Sequence, residues 1–234
     1  MKISTAEQGT EQWFFDRAGV ITASMFAGVR RRLKSGVDKG EYTIEARNYA
    51  FKLAIERIGK VNLDERPFSG WQAQRGRDLE EACRIRHEAD INTLVDLAGF
   101  ITTDCGRFGC SADSLVDDDG GGEYKCFLAA DKLRSIIIED DWSDVMDQAQ
   151  GGIMIAEREW WDICLYCPAL AKIGKDFIRK RTYRDDKYIE SLRTDLLLFD
   201  EYVEECREKI VATAEKPPLP VVEEINQEEI EIVF

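Results

Sequence analysis

The chain has 234 residues, of which 44% are hydrophobic and 33% are charged, and its formal net charge is −14. This length and composition fit one folded domain with a sizeable core and exclude a disordered chain. No apolar run approaches the ~20 residues of a membrane-spanning helix, and the first residues contain no hydrophobic signal segment, so we expect a soluble cytoplasmic protein.

The charge is distributed unevenly along the chain. Residues 17–60 are rich in Arg and Lys and include Lys34, whereas the chain from Ile189 onward is strongly acidic. Exposed charges further apart than a Debye length of ~10 Å are largely screened, so a basic surface can coexist with an acidic total. We predict one domain over residues 1–215 and an acidic, proline-containing tail over residues 216–234.

Hydrophobic spacing and capping residues predict helices in the first part of the chain. A helix is predicted to start within residues 22–25, and a mobile basic loop follows at residues 30–39. Further helices are predicted at residues 43–58, with Gly59 as the C-cap, and at residues 71–87.

Strands are predicted in the middle of the chain. Residues 91–102 and 107–116 have strand-like alternation, and the acidic, glycine-rich residues 117–122 are typical of a turn. Residues 123–127 are the predicted returning strand. Together these segments predict a β-hairpin with acidic residues on both arms.

A helix at residues 143–155, a strand at residues 157–166 and a long helix at residues 185–214 complete the predicted elements. Prolines stop the last helix, and the segment after them is either a flexible tail or a short edge strand. The order of elements predicts a mixed α/β or α+β domain with a central sheet flanked by helices.

The hairpin carries the residues with the clearest chemistry. Asp113, nine further residues and then Glu123-Tyr124-Lys125 match the (D/E)-x(n)-(D/E)-x-K pattern of metal-dependent nucleases. Two carboxylates can hold a hard divalent cation. Residues two apart in a strand face the same way, so Lys125 shares a face with Glu123 and can stabilise charge on a phosphate. The Tyr124 carbonyl is a candidate third oxygen ligand.

The same pattern also occurs on solvated surface hairpins, where it has no function. Apolar neighbours such as Phe108, Leu115 and Phe127 favour buried strands instead. Buried charges are rarely kept without a partner or a metal ion. The flanking residues therefore favour the functional interpretation.

The cysteines and the single histidine give weaker indications. Cys164 and Cys167 have CxxC spacing, but the seven cysteines provide no evident second ligand pair. We predict reduced, structural cysteines on a buried strand that ends at Pro168. His87 is predicted to be an ordinary helix residue.

Five segments occur in a fixed order: RAGVITAS at 17–24, GRDLE at 76–80, CSADS at 110–114, GGEYKC at 121–126 and MDQAQ at 146–150. Together they resemble the phage lambda exonuclease and YqaJ viral recombinase family, over about residues 10–170. The resemblance implies a restriction-endonuclease-like PD-(D/E)xK core and an alkaline-type deoxyribonuclease. Such an enzyme degrades one strand of double-stranded DNA from its ends in the 5′→3′ direction.

The resemblance also implies roles for individual residues near the hairpin. It implies metal ligation by Asp113, Glu123 and the Tyr124 carbonyl, with Lys125 as the catalytic lysine. In the same way, Glu80 is expected to support a second metal ion or its water, and Gln148 to position the attacking water. The implied cofactor is Mg²⁺, two ions per site, with Mn²⁺ as a substitute.

Other residues are implied to bind the DNA end. Arg17, Ser24 and Ser111 are expected to hold the 5′-phosphate of the recessed strand, and an Arg fork with hydroxyl donors suits a phosphate dianion. Lys34 is expected on a loop that reaches the DNA near the fork, and Lys132 is the candidate for a further basic residue. The family pattern also implies a homotrimeric ring and a single-strand annealing protein as partner, for phage-type recombination.

Two alternatives remain open from the sequence. One is a Cas4-like or AddB-like nuclease with an iron–sulfur cluster, to which Cys164 and Cys167 would contribute. The other is a non-catalytic acidic binding module, such as a DNA mimic, which the net charge of −14 motivates.

Overall fold

In the computed structural model the described residues are 1–64, 71–126 and 129–214. The predicted tail at residues 216–234 and the last predicted residue of the hairpin, Phe127, lie outside them. None of the helices in the described ranges is both long enough and apolar enough to cross a membrane.

The described residues form eight strands and seven α-helices. The strands are β1 (Lys2–Ile3), β2 (Ile21–Thr22), β3 (Phe100–Thr102), β4 (Phe108–Ser111), β5 (Ser114–Val116), β6 (Gly120–Lys125), β7 (Trp160–Tyr166) and β8 (Phe177–Tyr183). The helices are α1 (Glu11–Arg17), α2 (Phe26–Arg30), α3 (Ile44–Gly59), α4 (Trp71–Ile91), α5 (Ala130–Glu139), α6 (Ser143–Ala156) and α7 (Asp186–Ala212). Short 3₁₀ turns precede α2, at Ala23–Met25, and follow β7, at Pro168–Ile173.

The strands form two four-stranded mixed sheets. The first has the order β1-β3-β4-β2 and the second has the order β5-β6-β7-β8. Strand β6 runs parallel to β7 and antiparallel to β5, and β7 is antiparallel to β8. The chain crosses from the first sheet to the second between β4 and β5, through Ala112 and Asp113.

Helix α6 packs against strands of both sheets and against α2, and two glycines allow its close approach to α2 and to β7. A Cβ atom on Gly151 would lie 2.6 Å from the Phe26 ring, and one on Gly152 would lie 2.9 Å from the Trp161 ring. Helices α3 and α7 pack together beside α6, and Leu196 and Phe199 of α7 are fully buried in the core. The predicted mixed sheet flanked by helices is thereby confirmed.

The helix predictions hold with adjusted ends. Thr43 caps α3 by accepting a hydrogen bond from the Ala46 N–H at 3.3 Å. The predicted C-cap was wrong: Gly59 is the last helical residue, and Lys60 adopts the left-handed conformation with φ 54°. Helix α4 continues to Ile91, so most of the strand predicted at residues 91–102 is absent and only Phe100–Thr102 is strand.

The predicted hairpin was wrong in two details. Residues 107–116 form two strands in different sheets rather than one. Gly120 to Gly122 belong to β6, not to a turn, and pair with Trp160 to Asp162 of β7. A Cβ atom on Gly120 or Gly121 would collide with the ring of Trp160 or Trp161, respectively. Glycine is required there by packing, not by a bend. The sequence patterns also missed five elements, β1, α1, β2, α5 and β8.

Candidate active site

Strand β6 and the crossing between the sheets bring the predicted acidic residues together. The Asp113 N–H donates to the Gly122 carbonyl at 3.1 Å, and the Tyr124 N–H donates to Asp113 Oδ2 at 2.5 Å. The side chain of Asp113 thus occupies the edge of β6 just beyond the end of β5. Because the N–H and C=O of a strand residue point to the same edge, the Tyr124 carbonyl faces Asp113 as well.

Lys125 lies between two oxygen acceptors. Its Nζ donates to Glu123 Oε1 at 2.9 Å and to Gln148 Oε1 at 2.7 Å. The predicted common face of Glu123 and Lys125 is therefore confirmed. Gln148 of α6 points into the site, whereas Gln150 is buried and binds the Tyr183 carbonyl at 2.8 Å. The two side chains diverge because residues two apart on a helix do not share a face.

The Asp113 carboxyl carries more negative charge around it than its cationic neighbour balances. Burial raises its pKa well above the usual value, and the charges of Glu123 and Glu80 raise it further. The Tyr124 N–H and Lys125 act in the opposite direction but do not offset this. A bound cation would relieve the repulsion between these carboxylates.

These residues line a single cavity of about 450 Å³. The predicted site residues on its wall are Arg17, Ser24, Glu80, Ser111, Asp113, Glu123, Tyr124, Lys125 and Gln148. They come from five helices and strands and from the connections between them. The fold thus gathers nine of the ten site residues predicted from the sequence into one place.

Arg17 forms the end of the cavity next to Ser111. Its guanidinium donates to Ser111 Oγ at 3.0 Å and lies over the ring of Trp13, 4.3 Å from the centroid. Burial lowers the pKa of this guanidinium. On the same wall Ser24 Oγ lies 3.3 Å from Thr22 Oγ1. A partly buried cation beside hydroxyl groups is suited to bind a phosphate group.

Three predicted basic residues lie elsewhere. Lys34 is exposed on the connection between α2 and α3 and does not line the cavity. Lys132 forms an ion pair with Asp144. Arg30 belongs to α2 and not to a loop, and it binds Asp147 and Asp195 at 2.6 and 2.8 Å. The mobile loop predicted at residues 30–39 therefore does not include Arg30.

The donors available for a metal ion are few. Within residues 1–64, 71–126 and 129–214, no three His, Cys, Asp or Glu side chains form a metal-binding group. Asp113, Glu123 and the Tyr124 carbonyl could still hold Mg²⁺, because this ion keeps several waters and commonly uses one or two carboxylates plus substrate phosphates. The under-compensated charge at Asp113 fits such an ion.

The cysteines with CxxC spacing do not form a common site. Cys164 lies on β7, fully buried, and packs with Cys83 and Tyr124, while Cys167 follows the strand. All seven cysteines are free thiols in the structure. These positions agree with the predicted buried strand before Pro168.

His87 lies outside the cavity, in a buried polar network that the sequence patterns did not predict. It is fully buried, with Nε2 at 3.0 Å from Asp162 Oδ2 and Nδ1 at 3.2 Å from the Tyr124 hydroxyl. The predicted helix position of His87 is confirmed, but its burial and its two hydrogen bonds were not predicted. Its partners lie 37 and 75 positions away in sequence, so no local pattern indicated them.

Solved structures with this architecture include an alkaline exonuclease from Laribacter hongkongensis. It is 26% identical to this chain, with a TM-score of 0.72, and the match covers 87% of this chain and 97% of that one. The chain has the fold of an alkaline exonuclease. The same exonuclease in complex with dAMP matches with 27% identity and a TM-score of 0.69, over 88% of this chain and 100% of that one.

A phage-related exonuclease from Haemophilus somnus 129PT shares the fold more distantly. Its identity is 14% and its TM-score is 0.58, over 82% of this chain and 96% of that one. No protein-family model and no curated protein matches the sequence. The structural neighbours confirm the resemblance to the lambda exonuclease and YqaJ group and support a nuclease.

Proposed function

We propose that this protein is a Mg²⁺-dependent exonuclease that degrades one strand of double-stranded DNA from its 5′ end and leaves 3′ overhangs. The observation that carries the proposal is the common cavity that joins the Lys125 cluster to the Arg17–Ser111 pair. A nuclease without end specificity needs the first group only. The second group gives the cavity a place for a terminal phosphate.

The chain's own groups divide the chemical work in the proposed reaction. A divalent ion held by Asp113, Glu123 and the Tyr124 carbonyl supplies Lewis-acid stabilisation of phosphate charge when it is bound. Lys125, fixed by its two hydrogen bonds, offers an ammonium group to the charge that develops on the phosphate. Gln148 holds Lys125 through its carbonyl oxygen, which leaves the amide N–H₂ to orient the attacking water.

The other end of the cavity is proposed to hold the DNA end. Arg17 and the hydroxyls of Ser24 and Ser111 together would bind the 5′-phosphate dianion through charge-assisted hydrogen bonds. Arg17 is held in place by the Trp13 and Phe100 rings, so little side-chain entropy is lost on binding. A 5′-hydroxyl end would make none of these charged contacts.

The proposed cellular setting follows the same reasoning. A strand-degrading exonuclease that leaves 3′ overhangs supplies the substrate of a single-strand annealing protein, as in phage-type recombination. We propose that three copies form a ring around the duplex and that Lys34 contacts the DNA. A ring would also concentrate the few basic surfaces of an acidic chain around the duplex.

A digestion assay tests the proposal. A duplex labelled at one 5′-phosphorylated end, with Mg²⁺, should release labelled nucleotides at once, whereas a 3′ label should appear late. Lys125→Ala and Glu123→Ala should each lower the rate by about 10²- to 10³-fold, because each removes charge stabilisation of the transition state. Lys209→Ala, exposed near the C-terminal end of α7, is the matched control and should keep the wild-type rate.

Two results would contradict the proposal. Full activity in either Lys125→Ala or Glu123→Ala would remove the assigned site. Equal, early release of 5′ and 3′ labels would leave a nuclease but remove the 5′→3′ polarity. Light scattering on the purified protein checks the proposed trimer separately.

A further inference from the structure

Helix α4 lies against the second sheet on the face opposite Glu123 and Lys125, and few of its described side chains are buried there. Among its described side chains between Arg75 and Ile91, only Cys83 and His87 are buried. Most helices dock through a stripe of apolar residues. Here a thiol and an imidazole take the place of that stripe.

The imidazole is the centre of a polar network. Asp162 on β7 accepts two hydrogen bonds from Arg181, at 2.8 and 2.7 Å, and one from Arg179 at 3.2 Å. His87 Nε2 donates to the same carboxylate, so His87 Nδ1 faces the Tyr124 hydroxyl. The network therefore links α4 to β6, β7 and β8 at once.

Two ion pairs flank this network on α4. Asp90 binds Arg179 at 2.6 Å, and Arg86 binds Asp176 at 2.5 Å. Both lie within three residues of His87. The C-terminal half of α4 is thus fixed to the sheet by polar contacts, with His87 as the buried one.

The N-terminal half of the same helix reaches the active site. Gly76, Leu79 and Glu80 line the cavity, and Glu80 raises the pKa of Asp113 through its charge. Glu80, Cys83 and His87 are spaced i, i+3, i+7, so they share one face of the helix. Glu80 lies two turns from His87, about 10.5 Å along the helix axis.

We propose that His87 is a positioning residue, which fixes α4 through Asp162 and Tyr124 so that Glu80 stands at the wall of the active site. A rotation or slide of α4 would move Glu80 as a rigid extension of the same helix. His87 does not touch the cavity and takes no part in the chemistry. This inference rests on the proposed nuclease function for its effect on rate, but the anchoring itself does not.

The test compares two replacements of nearly equal polarity. The amide nitrogen of Gln in His87→Gln can take the place of Nε2 and reach Asp162, whereas the shorter side chain of His87→Asn reaches only the position of Nδ1. His87→Asn should therefore release α4, and His87→Gln should hold it. Amide hydrogen exchange of full-length protein, without metal or DNA, measures this directly over residues 78–91.

Activity then tests the connection to Glu80. Glu80→Ala and His87→Asn should each lower the rate by about 10- to 100-fold, which is typical of losing support for a metal site. If His87 acts through Glu80, the double variant should be within about threefold of the slower single variant. His87→Gln should restore most of the rate. Glu81→Ala, an exposed neighbour on the same helix, is the control and should change neither measurement.

The outcomes separate the two proposals. Wild-type exchange over residues 78–91 in His87→Asn would overturn the anchoring role. Faster exchange with fully multiplicative rate losses in the double variant would overturn the action through Glu80. If the wild-type protein is inactive on DNA and the His87→Asn variant still exchanges faster over residues 78–91, the nuclease proposal is overturned and the anchoring role remains.

Discussion

Two aspartates of the second sheet illustrate opposite uses of a buried carboxylate. Asp113 stands at the β6 edge beside Glu123, where burial and negative neighbours raise its pKa. Asp162 stands on β7 behind the active site, where burial would also raise the pKa. Hydrogen bonds from Arg181 and His87 outweigh that effect and lower it.

The difference indicates that Asp162 contributes to the stability of the fold, whereas Asp113 belongs to the candidate active site. Around Asp162, four donated hydrogen bonds match the roughly four lone-pair positions of a carboxylate, so the network is complete without any ligand. Around Asp113, the charges of Glu123 and Glu80 are not balanced by Lys125, and the divalent ion of the proposed function would relieve this repulsion. Groups whose pKa is moved away from the ordinary value by uncompensated charge are typical of functional sites.

The largest expected effect is on the free energy of unfolding, and it distinguishes the sheet face that carries Asp162 from the face that carries Lys125. Asp162→Ala should lower the free energy of unfolding by about 3–5 kcal/mol, because it leaves Arg181 and His87 without their buried partner. Lys125→Ala should leave the free energy of unfolding nearly unchanged while activity is lost. Urea denaturation of both variants checks this, and equal destabilisation would end the distinction between the two faces.

Arg17 should give the next largest effect, confined to one kind of DNA end. Arg17→Gln should lower the rate on 5′-phosphorylated duplex by about tenfold or more, because charge-assisted bonds to the phosphate are lost. The rate on 5′-hydroxyl duplex should change little. Parallel digestion of the two substrates measures this, and equal losses on both would assign Arg17 to structure rather than to the DNA end.

Asp113→Asn should stabilise the metal-free protein while it abolishes activity. A raised pKa means that the carboxyl's contribution to stability is present below the unfolded value of about 3.9 and is lost as pH rises toward the folded value. At pH 8 the uncharged amide avoids that loss and keeps an acceptor for the Tyr124 N–H. We expect a melting temperature higher by roughly 2–4 °C, the shift typical of about 1 kcal/mol.

Added Mg²⁺ allows a second comparison of the melting temperatures of the wild type and Asp113→Asn. Mg²⁺ should raise the melting temperature of the wild type, because an ion that binds the folded state stabilises it. It should not raise that of Asp113→Asn. A lower melting temperature for the metal-free variant would contradict the electrostatic account of this site.

The smallest effect is expected at Lys34, outside both faces. Lys34→Ala should weaken DNA binding equally for all sequences and reduce the slope of log affinity against log salt by about one. Binding titrations at several salt concentrations check this. An unchanged slope would remove Lys34 from the DNA-binding surface.

The sequence predicted the site better than the fold around it. The two-residue repeat of strands was enough to place Glu123 and Lys125 on one face, and helix geometry separated Gln148 from Gln150. Both rules are local. The glycines before Glu123 misled because their role depends on two tryptophan rings 40 positions away, which composition cannot reveal. The burial and hydrogen bonds of His87 were not predicted for the same reason, because its partners Tyr124 and Asp162 are distant in the sequence.

The crossing between the sheets has a consequence for the length of the product. Ser111 ends the first sheet and Asp113 begins the approach to the second, so only Ala112 separates the proposed end-binding hydroxyl from the proposed metal ligand. The Cα atoms of Ser111 and Asp113 can be about 7 Å apart at most, which is the reach of two residues of extended chain. In an enzyme that binds the terminal phosphate at Ser111 and cleaves the strand at Asp113, this short spacing would set the distance between the two sites. Each cut would then remove a single nucleotide, because no longer fragment fits between the proposed 5′-phosphate site and the proposed metal site.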